Sequence, residues 1–487
     1  MKIIASDRSC AASFNKLCAA VTGRKLPVTD TDDGVSDLVL IGSDAVNLKV
    51  HELIMTGKIE TLGIRNGSDD FRILSLEENS RNILILAGGR LRADYYAVYD
   101  YFERFCACRY FWDGDITPKR SSLPVKGLDH THRFQLRYRG LRYFAHRSLH
   151  RFQAEHWSLE EWKKELDYLL KKKFNLFMLR IGQDDIFQKA FPDLVGYPPE
   201  DRQDPDVIAR SYDDRTCFWG LKERGRLRRE IIRYGHKLDL FHPVDMGAMT
   251  HWYSRTPTEF LRKAKPSLLS QSTAGYNEQT GLCWDLADDR NIENYWKLTQ
   301  AELKYYDKPD FFHMIGLAER KFGEKRQNLQ MKLYAYRRFI RKLREEYPHA
   351  PLLIAAWDLM LEWDAVEVRQ LLSELDPENT FILDYTEDLQ YRHNDFVQWG
   401  LPHRFPYIFG IYQGVERYSG CAFDFEYTER NFAHTFNDPM CKGMVLWSEM
   451  SHAHTMLHEY LAKRSAGLPF SVEEFCRDRY GKNAAAM

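Results

Sequence analysis

A chain of 487 residues is too long for one small hydrophobic core, and we expect two or three domains. Its 69 Lys and Arg residues balance 70 Asp and Glu residues, so the net charge of −1 excludes a strong field that would attract nucleic acid or an anionic membrane. No apolar run is long enough to span a bilayer, and no apolar signal-peptide core follows the N-terminal MKIIASDRSC. We therefore expect a soluble protein, cytoplasmic or exported with its signal removed. Oligomeric state is not predicted.

Residues 1–125 show the pattern of a small α/β domain. KIIAS, SDLVLIGSD, FRILSL and RNILILAGG indicate strands, and AASFNKLCAAV and RADYYAVYDYFERF indicate helices. Gly88 and Gly89 lack the third glycine of a dinucleotide-binding fingerprint, so we interpret them as a strand-to-helix turn. The Pro, Ser and charged residues of 115–127 are typical of a domain boundary, and we assign 126–136 to a linker.

Residues 137–487 contain eight short apolar segments, each followed by helical or loop sequence. A (β/α)8 TIM barrel has this order, and we predict that fold after the N-terminal domain. Ser158 and Glu161 form a predicted capping box at the start of the helix after the first strand. The eight predicted strands lie in LRYFAHRSL, FNLFMLRIG, LDLFHPVDM, FFHMIGLAE, LLIAAWDLM, TFILDYTED, YIFGIYQG and GMVLWSEM.

Polar and aromatic residues collect where these strands end, which in a TIM barrel is the shared mouth of the active site. Carboxylates, imidazoles and indoles dominate, an inventory that suits glycoside hydrolysis, although any one of them can also be a structural group. The residues at the predicted strand ends are Arg142, His146, Gln183, Asp184, His242, Asp245, His251, Glu319, Trp357, Asp358, Asp384, Glu387, Gln413, Glu416, Glu449 and His452.

No cofactor or metal is predicted. His454 and His458 stand at i and i+4, but Glu459 follows the second histidine, whereas zinc hydrolases have the order H-E-x-x-H. Nine cysteines are scattered without a Cys-x-x-Cys pair, so we interpret Cys106 and Cys108 as buried free thiols. The alternating charges of LKERGRLRRE, residues 221–230, indicate a solvated helix face and not a nucleic-acid site.

Several motifs, in order, resemble the α-N-acetylglucosaminidase family. They are the F-C-x-C pair and following W-x-G in YAVYDYFERFCACRYFWDGD, the first-strand segment LRYFAHRS, HWSLEEWKKELDYLLKKKFNLFMLRIGQDDIF, AAWDL, ELDPENTFILDYTEDLQ and EEFCRDRYG. The chain departs from the family pattern at Ala318, where the family has Asn, and at Ser448 and Met450, where it has Pro and Gly. It ends in RYGKNAAAM, where the family continues into a helical C-terminal domain.

The resemblance implies a retaining exo-glycoside hydrolase that removes a terminal α-linked N-acetylglucosamine or related hexose by double displacement. Glu319 matches the family's acid/base and Glu449 its nucleophile, and the implied partner is a glycan or glycoside. Two alternatives stay open: an α-glucuronidase-like enzyme, in which Arg142, Arg180 or His146 would hold a uronate, and a non-catalytic carbohydrate-binding relative. The predicted substrate-binding residues are Tyr143, Gln183, Trp357, Asp384, His242, Gln413 and Trp447.

Overall fold

Two large sheets, one of five strands and one of eight, form the framework of the chain. A computed structural model describes residues 1–143, 154, 157–179, 185–197, 219–246, 256–268, 284–315, 325–357, 359, 363–386, 395–413, 423–433, 435–448, 452 and 454–486.

The N-terminal sheet has the strand order β1-β2-β4-β3-β7, in which β1, β2 and β4 are parallel and β3 and β7 antiparallel. One face packs on α2, and the other packs on α1 and α3, whose apolar side chains join the core of the barrel. The elements are β1 Lys2–Ala5, α1 Arg8–Thr22, β2 Leu38–Ile41, α2 Leu48–Met55, β3 Phe71–Glu78, β4 Arg81–Gly88, α3 Leu91–Cys106, β5 Arg109–Phe111, β6 Gly114–Ile116 and β7 Asp129–His132.

The segment assigned to a linker contains a strand. Asp129–His132 forms β7, which pairs with β3 at the edge of the N-terminal sheet. The sequence DHTH has no apolar alternation, so the pattern gave no strand signal. An edge strand is held by backbone hydrogen bonds to one neighbour and needs little apolar burial.

The eight-stranded sheet is parallel throughout and has the order β10-β11-β12-β13-β14-β15-β8-β9. A parallel bridge between Leu176 and Phe241 links its two ends, so the sheet closes into a barrel. The strands are β8 Tyr138–Tyr143, β9 Leu176–Leu179, β10 Pro243–Asp245, β11 Phe311–Met314, β12 Leu352–Ala355, β13 Thr380–Thr386, β14 Tyr407–Gln413 and β15 Cys441–Ser448.

The predicted TIM barrel and its eight strand positions are confirmed. The predicted capping box of Ser158 and Glu161 is present at the start of α4. The helices are α4 Leu159–Lys171, α5 Ile186–Ala190, α6 Leu221–Lys237, α7 Thr258–Ala264, α8 Asp289–Tyr305, α9 Lys325–Glu346, α10 Ala365–Leu372, α11 Asp395–Trp399, α12 Phe425–Ala433, α13 Thr455–Ser465 and α14 Val472–Tyr480, followed by a 3₁₀ helix at Gly481–Ala486.

A buried ionic network joins the N-terminal sheet to the amino ends of the barrel strands. Asp69 accepts hydrogen bonds from Arg92 at 2.6 Å, from Arg139 at 2.6 Å and from Asn175 at 2.7 Å. These donors come from α3, β8 and the residue before β9. Burial raises the pKa of Asp69, but Arg139 and Arg92 outweigh it and lower that pKa to about 2. The carboxylate therefore stays ionised and holds two buried arginines in place.

Candidate active site

The direction of each barrel side chain follows from four rings that meet in the interior. Tyr138 of β8 lies 5.4 Å from Phe381, 5.3 Å from Phe311 and 5.5 Å from Phe241, measured between ring centroids. Residues from such distant strands can meet only inside the barrel. Because side chains alternate along a strand, these four rings fix which residues further along point inward.

A chain of polar groups lies above this floor. His313 of β11 is fully buried; its Nδ1 hydrogen-bonds to Asp245 of β10, and its Nε2 lies 3.5 Å from Arg142 Nη1. Burial lowers the pKa of His313, and Arg142 adds to this although Asp245 opposes it. A neutral His313 donates from Nδ1 to Asp245 and presents its Nε2 lone pair to Arg142.

The carboxyl group of Asp245 is ionised in this arrangement. Burial acts to raise its pKa, but His313 and Arg142 outweigh that effect, and the pKa of Asp245 lies below its usual value. The chain of Asp245, His313 and Arg142 therefore carries one negative and one positive charge with a neutral imidazole between them. A buried cation held in this way can donate hydrogen bonds to hydroxyl or carboxylate oxygens of a ligand.

Aromatic rings complete the interior at the carboxyl ends of β12, β14 and β15. Trp357 lies 5.2 Å from Tyr412 and 6.2 Å from Trp447, and Tyr412 meets Trp447 edge-on at 6.2 Å. The guanidinium of Arg142 stacks 4.3 Å from the Trp447 ring. We call these six residues the interior cluster: Arg142, Asp245, His313, Trp357, Tyr412 and Trp447.

The interior cluster includes two of the predicted substrate-binding residues, Trp357 and Trp447. Two others, Tyr143 and Gln413, lie with Ser448 in a neighbouring row that faces the helices. The hydroxyl of Tyr143 donates to Glu165 of α4, and Ser448 Oγ donates to Gln413 Oε1 at 3.3 Å. Burial, with the charge of Glu165, raises the pKa of Tyr143 well above its usual value.

Asp384 and His242 also lie away from the cluster. Asp384 is fully buried and, three residues after the inward-facing Phe381, alternates to the outer face of β13. His242 precedes β10 at the amino end of the barrel, where its ring packs 4.8 Å from Phe177. Burial lowers the pKa of His242 well below its usual value, with Arg228 adding to the shift.

The remaining predictions fall outside the described residues. They include the predicted catalytic pair Glu319 and Glu449, and Gln183 of the substrate-binding set. The same holds for the strand-end residues His146, Asp184, His251, Asp358, Glu387 and Glu416, and for Arg180. In the chain, Glu449 directly follows Ser448, the last residue of β15.

His313 is the residue that the sequence predictions missed. It lies within the run FFHMIGL, and a polar residue inside an apolar barrel strand is itself a signal, since interior positions normally carry bulky apolar side chains. Arg142 was predicted as a site residue only in the glucuronidase alternative, and Asp245 was noted at a strand end without a specific role. The structure brings all three together.

His454 and His458, the pair at i and i+4, have structural contacts. His454 caps α13, where its Nδ1 accepts from the Leu457 amide at 3.2 Å, and buried His458 lies 3.5 Å from the Tyr168 hydroxyl. Over the described ranges, His, Cys, Asp and Glu side chains form no group of three suited to a metal ion. Cys106 and Cys108 are buried free thiols, as predicted.

A second crevice, between β5, α13 and α14, is lined by charges that neutralise one another. Arg109 lies 2.6 Å from Asp478, and Lys172 contacts Glu459. These ion pairs join secondary-structure elements. Because these charged groups pair with one another, the interior cluster is the better candidate for a ligand site. None of the helices in the described parts of the chain has the length and apolar character needed to cross a membrane.

Comparison with known proteins gives no match to any protein-family profile and none to curated sequences. Solved structures do match. A family 89 glycoside hydrolase from Clostridium perfringens, in complex with its substrate GlcNAc-α-1,4-galactose, superposes with a TM-score of 0.63 at 13% identity over 99% of this chain and 51% of that chain. This chain thus spans about half the length of that enzyme.

Two further structures share the fold. Streptomyces plicatus N-acetyl-β-hexosaminidase has a TM-score of 0.58 at 12% identity over 98% of this chain and 88% of that chain. A family 115 4-O-methyl-α-glucuronidase with specificity for decorated arabinogalactans has a TM-score of 0.55 at 9% identity over 98% of this chain and 58% of that chain. At these identities the likeness establishes the architecture: a TIM barrel preceded by an α/β region, as in these glycoside hydrolases.

Proposed function

We propose that this chain is a retaining exo-glycoside hydrolase that removes a terminal α-linked N-acetylglucosamine or related hexose. The observation that carries the proposal is the interior cluster, which combines a buried Asp245–His313–Arg142 chain with three aromatic rings at the carboxyl ends of the barrel strands. A sugar presents hydroxyl groups to polar partners and C–H faces to aromatic rings, so this pairing suits a carbohydrate.

Glu319 and Glu449 are the proposed catalytic pair. Glu319 protonates the glycosidic oxygen and then, as a base, activates water; Glu449 attacks the anomeric carbon and forms the glycosyl-enzyme intermediate. This double displacement needs carboxyl groups about 5–5.5 Å apart and retains anomeric configuration. The assignment rests on the resemblance of the surrounding segments to the α-N-acetylglucosaminidase family and on the position of Glu449 after β15.

The interior cluster would bind the sugar that is released. Arg142, held by His313 and Trp447, is suited to donate to ring hydroxyls, and Trp357 and Tyr412 supply apolar surface for a pyranose face or an acetamido methyl group. The likeness to an enzyme whose substrate is GlcNAc-α-1,4-galactose and to an N-acetyl-β-hexosaminidase supports a hexosamine as the first candidate.

Arg142 also favours a second candidate, an α-glucuronidase. A buried carboxylate without a charged partner is costly, and an inward-facing guanidinium is the partner that a uronate requires. Likeness to the 4-O-methyl-α-glucuronidase is compatible with this alternative. Asp245 reduces the local positive charge, which favours the neutral sugar over the uronate.

The test is hydrolysis of nitrophenyl α-N-acetylglucosaminide, α-glucoside and α-glucuronide at equal concentration. Hydrolysis of the first, with release of the α-anomer, supports the proposal; preference for the glucuronide supports the second candidate. Glu319→Gln and Glu449→Gln should each lower kcat by at least about 100-fold without loss of folding. EDTA should leave the activity unchanged, because the proposed mechanism uses two carboxyl groups and no metal.

Binding without hydrolysis would identify a carbohydrate-binding protein instead. Quenching of tryptophan fluorescence by the same sugars, with no product after long incubation, would give this result. Wild-type turnover in either glutamine variant would remove that glutamate from the mechanism.

A further inference from the structure

Three residues separate the end of β15 from His452 in the chain. Residues 449–451 join Ser448, in register with Tyr143 and Gln413, to His452. Four Cα–Cα steps join Ser448 to His452, and they span at most about 14 Å. This segment begins with Glu449, the proposed nucleophile.

The ring of His452 stacks on two indoles. Its centroid lies 5.0 Å from that of Trp112 with planes 8° apart, and 5.6 Å from that of Trp157 with planes 15° apart. His452 is 6% exposed, although Trp112 is 40% exposed. Two nearly parallel indole contacts therefore restrict how the imidazole can tilt.

A hydrogen bond to Glu165 also restricts the rotation of the His452 ring. His452 Nε2 donates to Glu165 Oε2 at 2.9 Å, and the other oxygen of Glu165 accepts from the hydroxyl of Tyr143. His452 has a backbone φ of +63°, a conformation uncommon for a residue with a side chain. Its side-chain contacts hold the backbone in this state. We call Trp112, Trp157, Glu165 and His452 the His452 clamp.

The N-terminal region supplies one side of the clamp. Trp112 lies in the turn between β5 and β6, and its Nε1 donates to Thr455 Oγ1 at 3.0 Å. Asp113 in the same turn accepts two hydrogen bonds from Arg479, at 2.9 and 2.7 Å. The hairpin of β5 and β6 is thus fastened to α13 and α14.

We propose that the His452 clamp is a positioning element for the nucleophile Glu449, which precedes His452 by three residues in the chain. This inference rests on the proposed function for Glu449, but the clamp itself is built from described contacts. His452 acts through Glu449 and not on the substrate. The clamp also gives the β5–β6 hairpin a part in catalysis, because Trp112 is one of the two indoles that stack on His452.

Hydrogen exchange tests the positioning step without substrate. His452→Asn keeps a residue that tolerates positive φ but removes the ring stack and the bond to Glu165. Backbone exchange in the peptide spanning residues 441–457 should become about tenfold faster. His403→Asn is the matched control, since His403 has a φ of +61° but precedes β14 at the amino end of the barrel. Unchanged exchange in His452→Asn would overturn the proposal.

Kinetics on the best α-glycoside of the panel test the consequence. His452→Asn and Trp112→Ala should each lower kcat about 10- to 100-fold and change KM less than about threefold. A misplaced reacting group affects the chemical step more than substrate binding. An unchanged Tm shows that each variant is folded. An α-glycosyl fluoride, whose leaving group needs no protonation, together with azide in place of the water that Glu319 would activate, should rescue Glu319→Gln but neither clamp variant.

The outcomes separate the two proposals. If Glu449→Gln keeps wild-type turnover, the nucleophile assignment fails, and the exchange experiment still decides whether the clamp fixes the segment. If Glu449→Gln is inactive but both clamp variants turn over at the wild-type rate, only the positioning role fails. If the glycosyl fluoride restored the turnover of His452→Asn, that result would also overturn the positioning role.

Discussion

The guanidinium of Arg142 stacks on the indole of Trp447 with 4.3 Å between its central carbon and the ring centroid, and strands β8 and β15 hold the two residues in register. A buried cation on an indole face gains electrostatic energy that water would otherwise weaken. The stack also fixes the plane of the guanidinium, so its remaining N–H groups point in set directions.

We expect Arg142→Lys to lower kcat/KM by about 10- to 100-fold, although it keeps the charge. Lysine has no planar group to stack on Trp447 and a single nitrogen to offer the ligand. Steady-state kinetics on the best glycoside give the result. Arg404→Lys, at an exposed arginine before β14, is the control and should keep wild-type activity. Wild-type activity in Arg142→Lys would show that Arg142 has no part in sugar binding.

Asp69→Asn should lower the free energy of unfolding at pH 7 by about 3–5 kcal/mol, because it leaves Arg92 and Arg139 buried without their counter-ion. Urea unfolding at pH 7 measures this. The pKa of Asp69 is lowered to about 2, so its contribution is complete above pH ~4 and is lost as the pH falls through 2. The difference in the free energy of unfolding between the wild type and Asp69→Asn should therefore become smaller as the pH falls towards 2.

Asp129→Asn is the control for that experiment. Asp129 also pairs with an arginine, Arg72 at 3.1 Å, but its side chain is 62% exposed. An exposed pair contributes about 0–1 kcal/mol, and the variant should unfold close to the wild type. If Asp69→Asn and Asp129→Asn lowered the free energy of unfolding equally, burial would not be the reason that the Asp69 network stabilises the fold.

His313→Asn should reduce the pH dependence of stability between pH 7 and pH 5. The pKa of His313 is lowered in the folded state, so protons bind preferentially to the unfolded chain and stability falls as the pH drops through the ordinary histidine range. Asp245, whose pKa is below its usual value, stays ionised throughout this window. Asparagine can still donate to Asp245 but does not titrate.

Denaturant unfolding at pH 7, 6 and 5 measures that slope. Exposed His349, between α9 and β12, provides the control His349→Asn, which should keep the wild-type slope. A slope unchanged in His313→Asn would mean that His313 does not supply the titration.

Trp357→Ala should raise KM about tenfold and change kcat by less than about threefold. A ring that packs on the sugar stabilises substrate and transition state alike, so its loss is expressed in binding. Substrate-saturation curves separate the two constants. Tyr305→Ala, at an exposed aromatic at the end of α8, should leave both unchanged. A large loss of kcat alone would instead place Trp357 beside the reacting atoms.

Much of the fold followed from the sequence, because most of the barrel strands lie in short apolar runs, as strands covered on both faces do. Site residues were harder to predict, since alternation changes the face of a strand with every residue. Tyr143 and Gln413 were chosen, whereas the interior cluster contains their neighbours Arg142 and Tyr412. A strand that is apolar at every position does not show in its sequence which residues face inward. The ring contacts of Tyr138 in the structure identify those residues.

β7 and His313 show two further limits of the sequence. The strand DHTH is stabilised by pairing at a sheet edge, a contact between residues about 57 positions apart that no local pattern encodes. His313 was hidden in an apolar run, and its partners Asp245 and Arg142 come from two other strands. Such a site becomes visible only when the strand order and register are known.

The closure of the barrel at Leu176 and Phe241 has a consequence for where the barrel opens most easily. In the described ranges, every other junction of the eight-stranded sheet has three or more paired residues, whereas β9 and β10 share one bridge and two backbone hydrogen bonds, at 3.1 and 2.7 Å. A cylinder with one weak junction widens there at the least cost. Separation of neighbouring strands should therefore begin beside Phe177 and Phe241, and the long ladder between β14 and β15 should be the last to open.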